Sequence, residues 1–104
     1  MTIINNVSVD KNTNIYFNGN VISRNIILPD NSIKTLGVML VGSYSFNTSK
    51  KEIMEITSGE LEFLLSGECD WKNYKEGMSF QVPGNSSFKV KVIKITNYCC
   101  SYID

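Results

Sequence analysis

Short segments with apolar side chains at every second position, separated by turns rich in glycine and asparagine, fill the second half of the chain. The clearest runs from Phe88 to Val92, where the intervening residues are lysines. Such alternation is typical of a strand with one buried face, because successive side chains point to opposite faces of the sheet. No segment carries apolar residues at helical spacing over about eleven positions. The pattern therefore predicts an all-β fold.

The spacing of these segments indicates one domain. About eight to ten short strands fit along the chain, as in a sandwich or barrel with a single core. Asn18-Gly19 separates two β-rich runs, as in a hairpin, and Ser58-Gly59 is predicted to turn the chain between two further strands. Residues 1–14 are polar and rich in asparagine. We expect a flexible lead-in there, able to add an edge strand, before a domain over residues 15–104.

The composition argues against several classes of partner. Hydrophobic residues make up 42% of the chain and charged residues 19%, the balance of a folded globular domain. Ten basic and ten acidic residues give a net charge of zero, and no cluster of lysine and arginine stands out. The apolar runs are far shorter than the ~18 residues of a membrane span. We therefore expect no nucleic acid and no membrane among the partners.

The cysteines and the first residues predict a cytoplasmic protein. The chain begins with neither a basic segment nor an apolar one, so we expect no signal peptide. Three cysteines, at positions 69, 99 and 100, lack the even number and the spacing of a disulfide framework. Reduced thiols are typical of the cytoplasm.

Two intervals in the middle of the chain resemble the two motifs of the cupins, which are small jelly-roll barrels. Glu52 is followed after six residues by Gly59, and Gly77 is followed after five by Pro83. In cupins these intervals belong to the motifs G-x5-H-x-H-x3-4-E-x6-G and G-x5-P-x-G-x2-H. The resemblance implies an all-β, single-domain, cupin-type jelly-roll β-barrel, with Glu52 pointing into the barrel.

The histidines of the cupin motifs are missing. Their positions fall on Phe46, Thr48 and Phe88, and the chain contains no histidine at all. Imidazole is the usual cupin ligand for Zn, Fe, Mn or Cu, and one carboxylate with neutral neighbours is a poor substitute. We therefore predict no metal site and no cofactor.

A longer match covers the chain from Asn14 to Asp104. It is carried together by the segments NIYFNGNVISR, KTLGVMLVGSYSF, MEITSGELEFLL, SFQVPGNSSFKVKV and TNYCCSYID. In combination these segments resemble the pyrimidine/purine nucleoside phosphorylase family of short cupins. The resemblance implies a broad-specificity enzyme that cleaves purine and pyrimidine nucleosides with phosphate, reversibly and without a metal, to free base and ribose 1-phosphate. The alternative is a metal-free cupin that binds a sugar or nucleotide and catalyses nothing.

Two positions depart from the family pattern. Members often have a basic residue near the end, in a pattern like L-C-R-Y, where this chain has Ser101. The second glutamate of the family's E-E-M pattern is replaced by Ile53. If either residue binds phosphate or ribose in relatives, this chain has lost that contact.

The family resemblance also points to a homodimer. A small open jelly roll leaves edge strands that must be paired or covered, and two-fold association is the commonest way to do so.

Glu52 is the predicted catalytic residue. Phosphorolysis requires a held phosphate, a gripped ribose, and stabilisation of the charge that develops as the sugar becomes cationic. A carboxylate beneath the sugar ring suits the last two tasks. The alternative is a buried glutamate paired with a hydroxyl or a lysine for the sake of the fold. We favour catalysis, because an unneeded buried carboxylate is costly.

Further residues are predicted to bind substrate. Stacking on aromatic rings tolerates any base, which suits broad specificity, although each ring also fits a plain core position. The predicted stacking rings are Tyr44, Phe46 and Phe88. For phosphate, Arg24 could donate two parallel hydrogen bonds. Lys34 and the hydroxyls of Ser43 and Thr48 are the alternatives.

Overall fold

The computed structural model describes residues 3–104, which form eight β-strands and one 3-10 turn, so the all-β prediction is confirmed. The strands are β1 (Ser8–Tyr16), β2 (Val21–Ile27), β3 (Ile33–Met39), β4 (Gly42–Asn47), β5 (Lys51–Leu65), β6 (Lys72–Lys75), β7 (Ser79–Val82) and β8 (Ser87–Ile103). The turn, over Phe17–Gly19, joins β1 to β2. Among the described residues, none forms a helix with the length and hydropathy needed to cross a bilayer.

All strand pairs are antiparallel and belong to one sheet that folds over on itself. The hydrogen-bonded order is β1-β2-β3-β8-β5-β6, and β4 and β7 pair with β8 and β5 off this path. The first part of β8 pairs with β4 and the second part with β3, while β5 runs along nearly all of β8. The two ends of the path, β1 and β6, do not pair, so the jelly roll is open and not a closed barrel.

A bulge in β5 bends the sheet where a turn was predicted. β5 continues through Ser58 and Gly59, and its register with β8 shifts between Ile56 and Leu61. Gly59 has a φ of 95°, and a Cβ there would lie 2.7 Å from the Thr96 Oγ1 atom. The glycine interval of the cupin motif therefore marks a bulge that lets β5 serve both layers, since a bulge bends the strand that carries it.

The core lies between the two layers of the folded sheet. Phe88, Val90 and Val92 are buried and the lysines between them are exposed, so the predicted alternation is confirmed. The same alternation buries residues of the neighbouring strands, among them Met54, Ile56, Leu61, Phe63, Phe80, Val82 and Tyr98.

The first strand begins inside the predicted lead-in. β1 pairs with β2 from Ser8 opposite Ile27 to Tyr16 opposite Val21, with one irregularity. The boundary at residue 14 therefore falls inside an edge strand, which the sequence analysis allowed for, and not before the first strand. Met1 and Thr2 of the lead-in lie outside the described residues.

Candidate functional site

A cavity of about 160 Å³, here called the inner cavity, lies between the inward faces of β2, β3, β5 and the end of β8. Its polar wall consists of Tyr16, Ser23, Thr35, Asn47, Glu52, Tyr98, Cys100 and Tyr102, and its apolar wall of Met39, Phe46, Met54 and Phe88. Strand register explains this grouping. Thr35 lies opposite Cys100, and Glu52 lies opposite Tyr102.

Among the described residues, one side chain donates a hydrogen bond to Glu52. The Cys100 thiol donates to Glu52 Oε1 over 3.5 Å. Burial raises the pKa of Glu52, and the thiol contact partly opposes that shift because it favours the carboxylate. Among the described residues that line the inner cavity, Glu52 is the one with a formal charge. The cavity therefore combines one carboxylate with neutral hydroxyl and thiol groups.

Two hydroxyl groups lie beside this carboxylate. Thr35 Oγ1 and Tyr102 Oη are 3.1 Å apart and share one hydrogen bond. Burial raises the pKa of Tyr102 above its usual range and, together with the nearby Glu52, raises the pKa of Cys100 to about 12. The Tyr102 hydroxyl and the Cys100 thiol therefore keep their protons at neutral pH and can act as hydrogen-bond donors.

Gly37 makes room for the Tyr98 ring at the back of the cavity. The two residues are direct cross-strand partners on β3 and β8. A Cβ at residue 37 would overlap the tyrosine ring and would lie 2.5 Å from both its hydroxyl oxygen and the Ile22 carbonyl oxygen. The absence of a side chain on β3 therefore lets Tyr98 lie flat across the strand, with its hydroxyl towards Ser23.

Three of the six predicted site residues line the inner cavity: Glu52, Phe46 and Phe88. The two phenylalanine rings stack on each other, with centroids 5.3 Å apart and 27° between their planes. Phe88 also packs against Phe63 and is only 4% exposed. Phe46 is half-buried, and the Phe17 ring packs edge-to-face with it at 5.5 Å, so of the two stacked rings Phe46 is the more accessible to a ligand.

Tyr44 and Thr48 line neither the inner cavity nor the groove described below. The Tyr44 hydroxyl donates to the Leu40 carbonyl oxygen over 2.7 Å. The Thr48 hydroxyl donates to the Pro83 carbonyl oxygen over 2.7 Å and accepts from the Ser86 N–H over 3.0 Å. Both hydroxyls are therefore engaged within the fold.

Arg24 lies on the opposite face of the sheet from the inner cavity. It follows Ser23 directly on β2, so its side chain points the other way. Its Nη1 atom donates to the Lys11 carbonyl oxygen over 2.7 Å. Lys34, the alternative cation, precedes Thr35 on β3 and shares that outer face. The structure does not bring either cation to Glu52.

The two positions that depart from the family pattern lie side by side on neighbouring strands. Ile53 on β5 and Ser101 on β8 are direct cross-strand partners. They lie on the outer face, because each is adjacent in the chain to a residue of the inner cavity. A glutamate and an arginine at these positions would be placed to form a cross-strand ion pair. The two substitutions therefore leave the wall of the inner cavity intact.

Sequence reasoning missed Thr35, Tyr98, Cys100 and Tyr102. The last three lie at every second position of β8, so identifying one of them as facing inward would have identified all three. Thr35 joins them through the pairing of β3 with β8, which no local pattern reveals.

A second cavity of about 410 Å³, here called the outer groove, adjoins the inner cavity. The two share Phe46, Asn47 and Phe88, and the groove continues to Leu65 and Lys89. Within residues 3–104, no group of three or more histidine, cysteine, aspartate or glutamate side chains is arranged to hold a metal ion.

Comparisons with known proteins connect this chain with one family. The family model described as pyrimidine/purine nucleoside phosphorylase matches residues 11–102. A relative of that name from Chlorobium chlorochromatii is 54% identical over 99% of both chains. Another, from Geotalea uraniireducens, is 50% identical over the whole of both chains.

Solved structures support the fold. A protein of unknown function from Acinetobacter sp. ADP1 matches with a TM-score of 0.94 and 36% identity, over 97% of this chain and 98% of that one. The Cnp3 cupin domain of Schizosaccharomyces pombe matches with a TM-score of 0.65 and 15% identity, over 81% of this chain and 61% of that one. At that identity the likeness shows the fold alone, and it confirms the cupin type.

Proposed function

Because the chain belongs to the pyrimidine/purine nucleoside phosphorylase family, we propose that its inner cavity is where purine and pyrimidine nucleosides are cleaved with phosphate. Its activity is nucleoside phosphorolysis, and its substrates are nucleosides and phosphate. The reaction breaks the bond between C1′ and the base, forms a bond from C1′ to a phosphate oxygen, and runs in both directions. The observation that carries the proposed location is the inward carboxylate of Glu52 in a cavity that adjoins an aromatic-walled groove.

The sizes of the two cavities suggest how a nucleoside is divided between them. The inner cavity, at about 160 Å³, is smaller than typical ligand pockets of ~300–1,000 Å³, whereas the outer groove, at about 410 Å³, lies within that range. Ribose and phosphate occupy the inner cavity beside Glu52. The base lies in the outer groove against the half-buried ring of Phe46, where stacking accepts either class of base.

Glu52 stabilises the sugar as it becomes cationic. Cys100 holds Oε1, which leaves Oε2 to accept hydrogen bonds from ribose hydroxyls. The negative charge lies where water is partly excluded, so its interaction with an oxocarbenium-like sugar is stronger than in bulk water. The Cys100 thiol is neutral, so it orients the carboxylate without neutralising it.

The test is release of base from uridine and from inosine with and without phosphate. We expect free base and ribose 1-phosphate in equal amounts, and neither product without phosphate. Equal base release in the absence of phosphate would identify a hydrolase instead. A melting temperature that rises with nucleoside while no base is released would identify the non-catalytic alternative.

We also propose that the activity needs no metal and no other cofactor. The histidine positions of the cupin motifs hold Phe46, Thr48 and Phe88, and none of these side chains is a metal ligand. Activity should therefore survive dialysis against a chelator, and elemental analysis should find far less than one transition metal per chain. About one Fe, Zn or Mn per chain, with activity lost on its removal, would contradict this proposal.

A homodimer formed through the outer face of β1, β2 and β3 is also proposed. The exposed apolar residues of this face are Ile15, Ile22 and Leu36, at 66%, 37% and 40% exposed. Arg24 on β2 lies in this face, and the same cross-strand row continues across β8 to Glu55 on β5. A two-fold axis through such a face brings the basic end of one copy to the acidic end of the other, which favours a second copy as the occupant.

A cytoplasmic location is proposed as well. Cys69 is exposed and unpaired, and Cys100 is a free thiol in contact with Glu52. A reducing compartment keeps both thiols in this form. Cell fractionation should find the protein with cytoplasmic markers; recovery with an oxidising compartment would contradict the proposal.

A further inference from the structure

The proposed function requires the inner cavity to bind phosphate, an anion, beside a carboxylate. Among its described lining residues there is one carboxylate and no lysine or arginine. Resting on the proposed function, we propose that phosphate binds beside Glu52 as hydrogen phosphate, donating its own proton to the Glu52 carboxylate and accepting a hydrogen bond from the Thr35–Tyr102 hydroxyl pair. The cavity then selects phosphate over sulfate by the proton that phosphate carries.

The hydroxyl pair can supply one donor to a ligand. Thr35 and Tyr102 each carry one hydroxyl proton, and their mutual contact of 3.1 Å uses one of the two. Tyr102 also has the Cys100 thiol as a hydrogen-bonding neighbour, and the second proton can turn from that sulfur to a phosphate oxygen. Tyr102 is the cross-strand partner of Glu52 and lines the inner cavity with it, so an ion in the cavity lies beside both groups.

The carboxylate requires a protonated ligand. Two anions in a partly buried site repel each other more strongly than in water. Hydrogen phosphate has a P–OH group that can donate to Glu52, and a hydrogen bond between an ionised acceptor and such a donor is short and strong. Sulfate has a similar shape and carries no proton near neutral pH. Sulfate therefore meets repulsion where phosphate forms a bond.

The neighbouring groups remain donors under the same conditions. Burial raises the pKa of Tyr102 and, with the nearby Glu52, that of Cys100, so neither becomes a competing anion. The Cys100 thiol occupies Glu52 Oε1, which leaves Oε2 for the phosphate proton or a ribose hydroxyl.

The cations of the chain lie elsewhere. Arg24 and Lys34 are on the outer face, and Arg24 is engaged with the Lys11 carbonyl. Lys89 borders the outer groove and does not line the inner cavity. A phosphate that sat at any of these cations would be separated from Glu52.

The proposed position fits the reaction. Phosphate held through its proton has unprotonated oxygens, and one of them donates an electron pair to C1′. The glycosidic electron pair leaves with the base, which takes a proton from water. The hydroxide formed in this way takes the P–OH proton as the product leaves Glu52, so that in sum the phosphate proton ends on the base and no further reactant is consumed.

The experiment is calorimetric titration of the full chain with phosphate and with sulfate, without nucleoside, at about pH 8 and matched ionic strength, where an ordinary carboxyl is ionised. Wild type should bind sulfate at least about tenfold more weakly than phosphate.

Tyr102→Phe and Thr35→Val each remove one hydroxyl and keep the side-chain shape. Tyr102→Phe, which removes the hydroxyl beside the carboxylate, should weaken phosphate binding roughly 10- to 100-fold, as expected for one hydrogen bond to a charged ligand, and Thr35→Val should weaken it less. Tyr74→Phe is the matched control, because Tyr74 packs against Phe63 and Phe80 away from the cavity, and it should change nothing.

Glu52→Gln tests directly whether the carboxylate selects phosphate by accepting a hydrogen bond from its proton. An amide can both accept from phosphate and donate to sulfate, so the preference for phosphate should be largely lost. Equal binding of the two ions by wild type would overturn the proposal, as would unchanged phosphate binding by both hydroxyl variants. Weakened binding in Lys89→Gln alone would place the anion in the outer groove and would also overturn it.

Uridine phosphorolysis, measured on the same samples, separates the two conclusions. Selective phosphate binding without base release would contradict the proposed function and support the phosphate site. Release of base by a protein that binds phosphate and sulfate equally would support the proposed function and contradict the phosphate site. If a hydroxyl variant failed to fold, the comparison of the two ions on wild type would still decide the matter.

Discussion

The carboxylate of Glu52 lies half-buried at the pairing of β5 with β7 and β8, with the Cys100 thiol 3.5 Å from its Oε1 atom. Partial burial disfavours the charged form, and no cation of the inner cavity restores it. A residue of this kind adds little to the stability of the fold. Its value lies in what it does to a ligand, and two measurements can separate these roles.

Glu52→Gln should reduce phosphorolysis far more than it disturbs folding. Loss of one well-placed electrostatic contact typically lowers turnover ~10²–10³-fold. Glutamine keeps the shape and can still accept a hydrogen bond from Cys100. Steady-state kinetics with uridine and phosphate would measure the loss. Turnover close to wild type would show that the residue is structural.

Glu52→Gln should also change how stability depends on pH. A carboxyl whose pKa is raised in the folded state contributes most to stability below its unfolded pKa, and this contribution is lost as pH rises through the folded pKa. The neutral variant lacks that loss. Its melting temperature should therefore equal or exceed that of wild type near neutral pH, and the difference should shrink towards about pH 4. A variant that is less stable than wild type across the whole range would contradict this expectation.

The residues of the site differ in how far the sequence could predict them. Glu52 could be predicted because the cupin intervals around it are local in sequence and imply that its side chain points inward. Thr35 was not, because it reaches Glu52 only through the register of β3, β8 and β5. Tyr44 was assigned to the site as an inward position of its strand, and Thr48 as a hydroxyl at a histidine position of the cupin motif; neither property predicts which end of the jelly roll the side chain meets.

Among the elements, the pairing of β3 with β8 supports the back wall of the inner cavity. The Tyr98 ring lies over Gly37, and there is no space for a methyl group between them. The strand therefore needs a glycine for close packing, not for its backbone conformation.

Gly37→Ala should destabilise the fold and lower turnover together. Overpacking of this kind typically costs about 1–3 kcal/mol. The displaced Tyr98 ring would enter the inner cavity, so phosphorolysis should fall even at temperatures where the variant is fully folded. Denaturant unfolding and kinetics on the same preparation would measure both effects. A variant with wild-type stability would show that β3 and β8 can separate without loss.

Strand lengths were less predictable than strand positions. The sequence indicated two strands on either side of Ser58-Gly59, whereas β5 runs unbroken from Lys51 to Leu65 through a bulge. A glycine between two apolar alternations is compatible with a turn or with a bulge. Which of them forms depends on the partner strand, here Thr96 on β8, whose hydroxyl accepts the Glu60 N–H over 3.2 Å.

For the whole molecule, the cupin intervals predicted the architecture, and they did not predict that the path stays open between β1 and β6. Closure depends on how the ends of the folded sheet meet, which is a property of all the strands together. The open edges and the apolar outer face are what the proposed homodimer explains.

Light scattering at micromolar concentration should give twice the 11.7 kDa of one chain. Leu36→Glu should shift the protein towards the monomer, because it places a charge in the centre of the proposed interface. Val41→Glu, at a 61% exposed position between β3 and β4, is the matched control and should remain dimeric. A monomeric wild type would contradict the dimer, and dimeric Leu36→Glu would place the interface elsewhere.

The central position of β8 also dictates an order of events during synthesis. β8 is the last strand in the chain, yet it pairs with β3, β4 and β5 and contributes Tyr98, Cys100 and Tyr102 to the inner cavity. As the chain emerges from the ribosome, β1, β2 and β3 can form a local meander and β5 can pair with β6 and β7, but no strand joins these two groups until residues 87–103 have appeared. Until then the apolar faces of β3, β4 and β5 stay uncovered, and folding of the domain has to follow synthesis of its last strand.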